Sequence, residues 1–307
     1  MGPQQIKANA QVVAASVIYG FAGIFYLYIK NMVPGAVVFY QLLFGFLTLA
    51  GYLAVTGKFS EIRLKGKRKG LILLGVWHTG VMLSYYTAVS FTSISMSVLL
   101  LYTAPFYILL FAPFLLKEKL NYKSFAALAI SLTGILIVVG PENIGSGQTG
   151  IESGYLFGVI MGLFSGFFYA CIIMTSRYLK EEYSGFEQLF LSTGVTLVLL
   201  LPFITQAPSV SVIENLPLLL FLGISVTSIG SILYFTGLIH VKAQNASIIS
   251  LLEPVSAIFF AYLFFEDTVS SRTLVGCVLI LSSSLFVSLQ EGKETIDEDT
   301  YPFKKEN

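Results

Sequence analysis

One carboxylate of this sequence lies in the interior of a long apolar stretch, and its position gives it the clearest capacity for chemistry. Glu253 occurs nine residues into the apolar stretch 244–265, which is about 14 Å along a helix that begins there. If the stretch crosses a bilayer, Glu253 lies near the middle of a hydrocarbon core about 30 Å thick. A charge at that depth costs at least about 2.5 kcal/mol, so we expect the side chain to face a cavity or a partner.

Two roles are open for Glu253. In the first, the carboxylate binds the amino group of a substrate or takes up and releases a proton. In the second, Glu253 and Pro254 form a structural element in which the carboxyl stays protonated and hydrogen-bonds neighbouring helices. The sequence supports both roles equally.

Polar and aromatic side chains at the middle of other apolar stretches are candidates for the wall of the same cavity. Tyrosine suits a site for an amphipathic solute, although membrane tyrosines also serve as interfacial or core residues. A lone histidine in such a stretch is often only a packing residue, and of Gln41 and Gln188 we expect one to reach the cavity. The predicted cavity residues are Gln41, Trp77, His78, Tyr85, Tyr102, Thr227, Tyr234 and Glu253.

Motifs of enzymes and ATP-driven pumps do not occur in the sequence. It contains no H-E-x-x-H, G-x-G-D, D-x-x-x-D or G-x-S-x-G motif and no Walker motif. Cys171 and Cys277 both lie in apolar stretches, where cysteine is a small core residue rather than half of a disulfide or metal pair. We therefore predict no catalytic residue, no metal and no cofactor, and no use of ATP.

Composition indicates which solvent surrounds the elements that hold these residues. Of the 307 residues, 55% are hydrophobic and 11% are charged, whereas soluble domains have about 25% charged residues. A soluble protein of this size could not bury so much apolar surface, so we expect most of the chain to lie in lipid. The net charge of +1 gives no indication of a nucleic-acid partner.

Ten apolar segments approach the length of about 20 residues that a membrane-spanning helix needs. The first is too long for the apolar part of a signal peptide and is expected to be retained as a span. The polar residues 291–307 are expected to form a cytoplasmic tail without fixed structure. The predicted spans are 9–29, 35–56, 70–90, 94–116, 123–140, 153–176, 186–205, 217–239, 244–265 and 272–290.

The distribution of basic residues predicts the orientation of these spans. With ten helices, 16 of the 18 lysines and arginines fall on one side, and only Lys30 and Arg272 fall on the other. Basic residues accumulate on the cytoplasmic side of a membrane. We therefore predict a multi-pass protein of the plasma (inner) membrane with both termini cytoplasmic and the connection 141–152 outside.

An internal repeat relates the two halves of the chain. Residues 86–139 align with 235–288 at an offset of 149 without a gap, and this alignment pairs Pro105 with Pro254, Glu118 with Asp267, and Lys123 with Arg272. Because each half has five spans, an odd number, the second copy starts from the opposite side of the membrane. The fold class that we predict is an all-α membrane protein of two inverted five-helix repeats, 9–140 and 153–290, with a substrate site between them near the midplane.

The motifs of the fourth helix in each half carry a resemblance to a known family. The first reads Tyr102-Thr-Ala-Pro105 followed by Leu116-Lys-Glu118, and the second reads Leu251-Leu-Glu-Pro254 followed by Phe265-Glu-Asp267. These residues and the two five-helix halves resemble the drug/metabolite transporter superfamily, EamA type. The family usually has Gly-Glu where this chain has Glu266-Asp267, and the first copy has Ala104 where the second has Glu253. The resemblance implies an exporter or facilitator of amino acids, related metabolites or drugs.

We therefore expect a secondary transporter of a small solute, with the lipid bilayer as its surroundings and protons as a candidate coupling ion. The repeated prolines Pro105 and Pro254 are predicted hinges for alternating access, since a proline frees backbone carbonyls and permits a kink. The alternative for the prolines is a static kink. The alternatives for the whole protein are a membrane scaffold or receptor that transports nothing and an intramembrane enzyme.

Overall fold

The fold is helical throughout the part of the chain that the computed structural model describes, namely residues 3–26, 28–92, 94–117, 122–139, 153–265 and 270–300. The helices up to the middle of the chain are α1 (Pro3–Tyr26), α2 (Pro34–Thr56), α3 (Arg68–Phe91), α4 (Ile94–Leu101), α5 (Ala104–Leu115) and α6 (Tyr122–Val139). The later helices are α7 (Ser153–Leu179), α8 (Gly185–Leu200), α9 (Ser209–Glu214), α10 (Leu216–Leu222), α11 (Ser231–Leu238), α12 (Ala243–Ile249), α13 (Leu252–Phe265) and α14 (Ser271–Thr300). Short 3₁₀ segments at Lys58–Glu61 and Leu201–Gln206 follow α2 and α8.

The lengths and outer surfaces of these helices fit a lipid environment. Within the described residues, seven helical stretches are long and apolar enough to cross a membrane. Two further apolar stretches, Tyr122–Val138 and Ser271–Ser283, are shorter. Large apolar side chains lie on the outside of the bundle, and Val55 and Phe114 are 90% and 80% exposed. Such a surface is stable in contact with lipid chains rather than with water.

Two of the predicted spans are interrupted about a third of the way along their length, as the prolines indicated. The span 94–116 is divided into α4 and α5 at Tyr102 and Thr103, and the span 244–265 is divided into α12 and α13 at Ser250 and Leu251. Pro105 is the second residue of α5 and Pro254 the third of α13, where a proline costs little because the first turn needs no N–H donor. Pro113 differs, since it lies inside α5 and the helix continues past it to Leu115.

The span 217–239 contains a feature that the sequence analysis did not anticipate. Between α10 and α11, residues Gly223–Gly230 form a π-helical segment. The Ser228 hydroxyl donates to the Gly223 carbonyl at 3.2 Å, and the Ser231 hydroxyl donates to the Val226 carbonyl at 3.2 Å, each reaching five residues back. Such wide turns are rare and occur frequently at functional sites.

The ends of several elements differ from the sequence prediction. Helix α1 begins at Pro3 rather than at residue 9, and the short helix α9 occurs in what the sequence indicated to be a loop. The expectation of no fixed structure from residue 291 onward is wrong as far as Thr300, to which α14 continues. Between Gln290 and Pro302 the only helix-breaking residue is Gly292, so the helix can continue at little cost.

The predicted connection 141–152 and the paired acids Glu118 and Asp267 lie outside the described residues.

Close helix contacts in the bundle depend on glycine. Gly45 of α2 lies against the π-helical segment so closely that an added Cβ would be 2.4 Å from Thr227 Cγ2 and 2.9 Å from the Gly223 carbonyl oxygen. Gly223 has the same relation to α2, since its Cβ would be 2.9 Å from the Gln41 carbonyl oxygen. Two glycines that face each other let the backbones approach to a distance that no larger residue permits.

Candidate functional site

Glu253 is held at the start of α13 by a tyrosine from the other interrupted helix. The residue lies in the first turn of α13, where the positive end of the helix dipole favours a carboxylate. The hydroxyl of Tyr102, which occupies the break between α4 and α5, is near enough to the Glu253 carboxyl to interact with it as a hydrogen-bond donor. The Tyr102 side chain is 3% exposed. The two helix interruptions therefore meet at this hydrogen bond.

Three more tyrosines extend the contact into a cluster. The Tyr169 and Tyr234 hydroxyl oxygens are 2.9 Å apart and their rings are stacked, with centroids 6.5 Å apart. The Tyr19 ring is tilted against that of Tyr234 with centroids 5.7 Å apart. All three tyrosines lie close enough to Glu253 to interact with it electrostatically. We call Glu253 with Tyr19, Tyr102, Tyr169 and Tyr234 the tyrosine–carboxyl cluster.

Serine hydroxyls fix the tyrosines in place. The Tyr19 hydroxyl donates to Ser231 Oγ at 3.1 Å, and Ser250 Oγ donates to the Tyr234 hydroxyl oxygen at 3.3 Å. Ser250 belongs to the break between α12 and α13, and Ser231 is the first residue of α11 after the π-helical segment. The cluster thus draws its polar groups from the irregular backbone of three spans.

Small residues allow α1 and α7 to reach the two interruptions. A Cβ at Gly20 of α1 would be 2.6 Å from Ser256 Cβ and 3.0 Å from the Glu253 carbonyl oxygen. A Cβ at Gly166 of α7 would be 2.5 Å from Thr103 Oγ1 and 2.8 Å from the Leu100 carbonyl oxygen. These glycines place Tyr19 and Tyr169, which are nearby on the same helices, at the cluster.

Of the predicted cavity residues, three belong to this cluster, and a fourth adjoins it. Glu253, Tyr102 and Tyr234 are members, while Tyr85 of α3 lies near enough to Tyr102 to interact electrostatically. Tyr85 also contacts Tyr86 edge to face, with ring centroids 5.4 Å apart.

Trp77 and His78 lie elsewhere on α3. The Trp77 ring stacks on Phe168 of α7 with centroids 5.8 Å apart, and both Trp77 and His78 are half-buried. Neither side chain hydrogen-bonds to the tyrosine–carboxyl cluster within the described residues. The aromatic pair of Trp77 and Phe168 joins α3 to α7.

Gln41 and Thr227 form a contact between α2 and the π-helical segment. Gln41 Nε2 donates to Thr227 Oγ1 at 3.4 Å, and Thr227 is 3% exposed. Gln188, the alternative candidate, is fully buried, and its Nε2 donates to the Ser176 and Tyr183 carbonyls at 3.1 and 3.2 Å. Gln188 therefore connects the end of α7 to the start of α8.

The predicted cavity residues leave out two members of the cluster, Tyr19 and Tyr169, and two serines that hydrogen-bond to it, Ser231 and Ser250. Tyr19 and Tyr169 differ by 150 positions, within one residue of the repeat offset, and this spacing is a signal that could have identified them. Ser231 and Ser250 carried no signal, because they face the cluster only as a result of irregular backbone that the apolar pattern does not reveal.

A separate cavity of about 230 Å³ lies between α2, α3 and the end of α8. Its lining includes Pro34, Met82, Tyr86, Ser90 and Phe203 and is mostly apolar. No member of the tyrosine–carboxyl cluster lines it.

Polar contacts connect the loops at the two ends of the bundle. At one end, Lys65 Nζ lies 2.8 Å from Glu187 Oε1 in a salt bridge, and the Lys67 backbone N–H donates to Glu182 Oε2 at 2.7 Å. At the other end, Asn215 exchanges two hydrogen bonds with the Lys30 backbone, at 2.9 and 3.2 Å. Each set joins a loop of the first half of the chain to a loop or the first turn of a helix in the second half.

Comparison with known proteins gives consistent matches over nearly the whole chain. The model of the EamA-like transporter family matches residues 6–140 and again residues 156–289. An uncharacterized transporter of Archaeoglobus fulgidus is 27% identical over 280 residues, which cover 90% of this chain and 94% of the relative.

Two relatives with more specific names are more distant. Solute carrier family 35 member G1 of Homo sapiens is 24% identical and covers 74% of this chain and 64% of its own length. The pseudopaline exporter CntI of Pseudomonas aeruginosa is 23% identical and covers 71% of this chain and 74% of its own length.

A solved crystal structure superimposes with a TM-score of 0.78 over 92% of this chain and 98% of its own. At 18% identity, this similarity shows the fold alone.

Proposed function

The chain belongs to the EamA-like transporter family, and from this premise we propose that it moves small metabolites across a membrane as a secondary transporter. It is a multi-pass membrane transporter and not an enzyme, in agreement with its family and its relatives. The absence of a Walker motif from the sequence favours a carrier or facilitator over an ATP-driven pump. The substrates that we propose are amino acids or related amphipathic solutes.

We propose ten spans arranged as two inverted repeats. The seven long apolar stretches, the two shorter ones and α1 add up to this number. Helix α1 packs on α13 and α11, while its proposed counterpart α7 packs on α4, α5 and α3. Helices α6 and α14, the last of each half, pack on each other. The two separate matches of the family model also support duplication.

The inverted relation accounts for other pairs of features. The interruptions fall at repeat-related prolines, Pro105 and Pro254, and a glycine from the opposite half approaches each one. The contact between the loops at Lys65 and Glu187 also has a counterpart at the other end, where Asn215 contacts Lys30.

The proposed mechanism is alternating access around the tyrosine–carboxyl cluster. Interrupted helices with a site at their breaks are a recurring feature of transporters built from inverted repeats. Pro105 and Pro254 are the proposed hinges, because each leaves the preceding turn without a regular backbone hydrogen bond. Protons are the proposed coupling ion, with Glu253 as the group that exchanges them. The proposed location is the plasma (inner) membrane with both termini cytoplasmic.

The observation that carries the proposal is that Glu253 interacts with the Tyr102 hydroxyl across the two helix interruptions, well inside both spans. A scaffold or receptor has no need of such a polar centre. The test is counterflow in proteoliposomes, in which unlabelled solute inside drives the accumulation of the labelled solute added outside. We expect counterflow of at least one amino acid or related solute, and its absence for every solute class would contradict the proposal.

The variant Glu253→Gln tests whether counterflow depends on the site. Glutamine keeps the size and hydrogen bonding of the side chain but cannot gain or lose a proton. We expect this variant to reach the membrane in normal amounts and to lose most of its transport. The matched control is Glu214→Gln, which makes the same change at an exposed residue of α9. If Glu253→Gln transports at the wild-type rate with unchanged pH dependence, the carboxyl is a packing element.

A further inference from the structure

We propose that the tyrosine–carboxyl cluster selects solutes with a positively charged amine and without a carboxylate. This inference rests on the proposed function and narrows it from amino acids and related solutes to monocationic amines. It follows from the charges, the hydrogen-bond donors and the aromatic faces that the cluster presents.

The charges around the cluster favour a cation. Its one ionisable acid is Glu253, and no lysine or arginine occurs within seven residues of any cluster member along the sequence. The nearest along the chain are Arg177 and Lys242, each eight residues from a cluster tyrosine, or about 12 Å along a helix. Arg177, near the end of α7, donates to the Leu238 and Ile239 carbonyls at 3.4 and 2.8 Å, at the C-terminal end of α11. An ammonium group therefore finds an opposite charge here, whereas a carboxylate does not.

The tyrosine hydroxyls of the cluster offer more hydrogen-bond acceptors than free donors. Each tyrosine hydroxyl has one proton to donate and two lone pairs that accept. Tyr102 donates to Glu253, Tyr19 donates to Ser231, and one of Tyr169 and Tyr234 donates to the other. Three of the four tyrosine protons are thus already used. The cluster keeps acceptor capacity, which suits an ammonium group with three protons and does not suit a carboxylate, which only accepts.

The aromatic rings of the cluster also favour a cation. Tyr19, Tyr169 and Tyr234 lie with neighbouring ring centroids 5.7 and 6.5 Å apart. A cation within about 6 Å of a tyrosine face is attracted by the ring, and the attraction increases when water is excluded. The same ring faces repel a carboxylate. The tyrosine rings and the Glu253 carboxyl therefore both favour an ammonium group over a carboxylate.

The test compares molecules that differ only in their charged groups. One set is phenethylamine, phenylalanine and 3-phenylpropionate, and a smaller set is isobutylamine, valine and isovalerate. Each is measured as a competitor of counterflow and as a stabiliser of the purified protein against heat, since a ligand of the folded state raises the melting temperature. In at least one set we expect the amine to act at a concentration about tenfold lower than the amino acid, and the acid to have no effect.

Two variants test whether the preference for amines arises from the cluster. Glu253→Gln should weaken the action of the amine by about tenfold or more, while Glu214→Gln should leave it unchanged. An amino acid or acid that acts as well as the amine in both sets overturns the inference, as does an amine preference that survives Glu253→Gln. If other solutes show counterflow and the amines do not, the inference fails while the transport function stands. If no solute of any class shows counterflow, the proposed function itself fails.

Discussion

At the scale of single residues, the hydrogen-bonding contact between the Tyr102 hydroxyl and the Glu253 carboxyl joins the two interrupted helices. The bond connects the break after α4 to the first turn of α13, so it fixes the carboxyl relative to both interrupted helices. The other half has Ala104 at the position that the repeat pairs with Glu253. The two halves are therefore electrically unequal at the point where they meet.

Removing the Tyr102 hydroxyl should impair transport without removing the carboxyl. Hydrogen bonds to charged groups contribute about 1.5–3 kcal/mol, and a factor of ten corresponds to about 1.4 kcal/mol. We expect Tyr102→Phe to lower the transport rate at limiting substrate by about tenfold or more. The control is Tyr107→Phe on α5, whose hydroxyl makes only an exposed 3.4 Å contact with the Leu163 carbonyl. Equal rates for the two variants in the counterflow assay would show that the bond has no role in transport.

The sequence predicted part of this cluster, and the reason lies in what a pattern can reveal. Apolar length gives the depth of a residue in its span, and the repeat offset gives its counterpart, which together indicated Glu253, Tyr102 and Tyr234. Depth does not give the direction in which a side chain points around the helix axis. Trp77 has a suitable depth but stacks on Phe168, and no pattern distinguished its direction from that of Tyr85.

At the scale of helices, glycine contacts and interruptions decide how the spans meet. The breaks in two spans could be predicted from Pro105 and Pro254, whereas the π-helical segment Gly223–Gly230 could not. That segment has the same apolar character as its neighbours, although within it the hydroxyls of Ser228 and Ser231 reach carbonyls five residues back. Its contact with α2 depends on Gly45, which leaves no space for a side chain.

The effect of this contact can be measured by comparing two glycines of α2. A Cβ at Gly45 would be 2.4 Å from Thr227 Cγ2, whereas a Cβ at Gly51 would meet nothing within 4 Å. Overpacking costs about 1–3 kcal/mol, so we expect Gly45→Ala to lower the melting temperature in detergent by several degrees. Gly51→Ala should leave it unchanged or raise it, because alanine favours the helix by up to about 1 kcal/mol. A Gly45→Ala protein as stable as Gly51→Ala would contradict the contact.

At the scale of the whole molecule, the distribution of charge and the pairing of the two halves support one arrangement in the membrane. Sixteen of 18 basic residues fall on one side of the ten proposed spans, and basic loops face the cytoplasm. The contacts between the loops at the two ends, Lys65 with Glu187 and Asn215 with Lys30, join different halves of the chain. A movement of one half against the other changes both contacts.

The orientation is tested by labelling single cysteines in intact cells with a reagent that does not cross membranes. We expect a cysteine at Lys58 or in the C-terminal segment to react only after the membrane is opened. A cysteine at Gly145, in the connection that the charge distribution places outside, should react in intact cells. The orientation is wrong if Gly145→Cys reacts only from the cytoplasmic side.

The central claim is that the tyrosine–carboxyl cluster is reached alternately from the two sides of the membrane, and one accessibility measurement tests it most directly. Cys171→Ser and Cys277→Ser remove both native thiols, and Ser250→Cys then places a thiol beside Tyr234, with which Ser250 hydrogen-bonds at 3.3 Å. Ser131→Cys is the control, since Ser131 is fully buried between α6 and α14, where it donates to Ser283 at 2.7 Å. We predict that a membrane-impermeant thiol reagent modifies Ser250→Cys from either side, that a transported solute protects it, and that Ser131→Cys is not modified. Modification of Ser250→Cys from one side only, in a protein that still transports, would contradict the account.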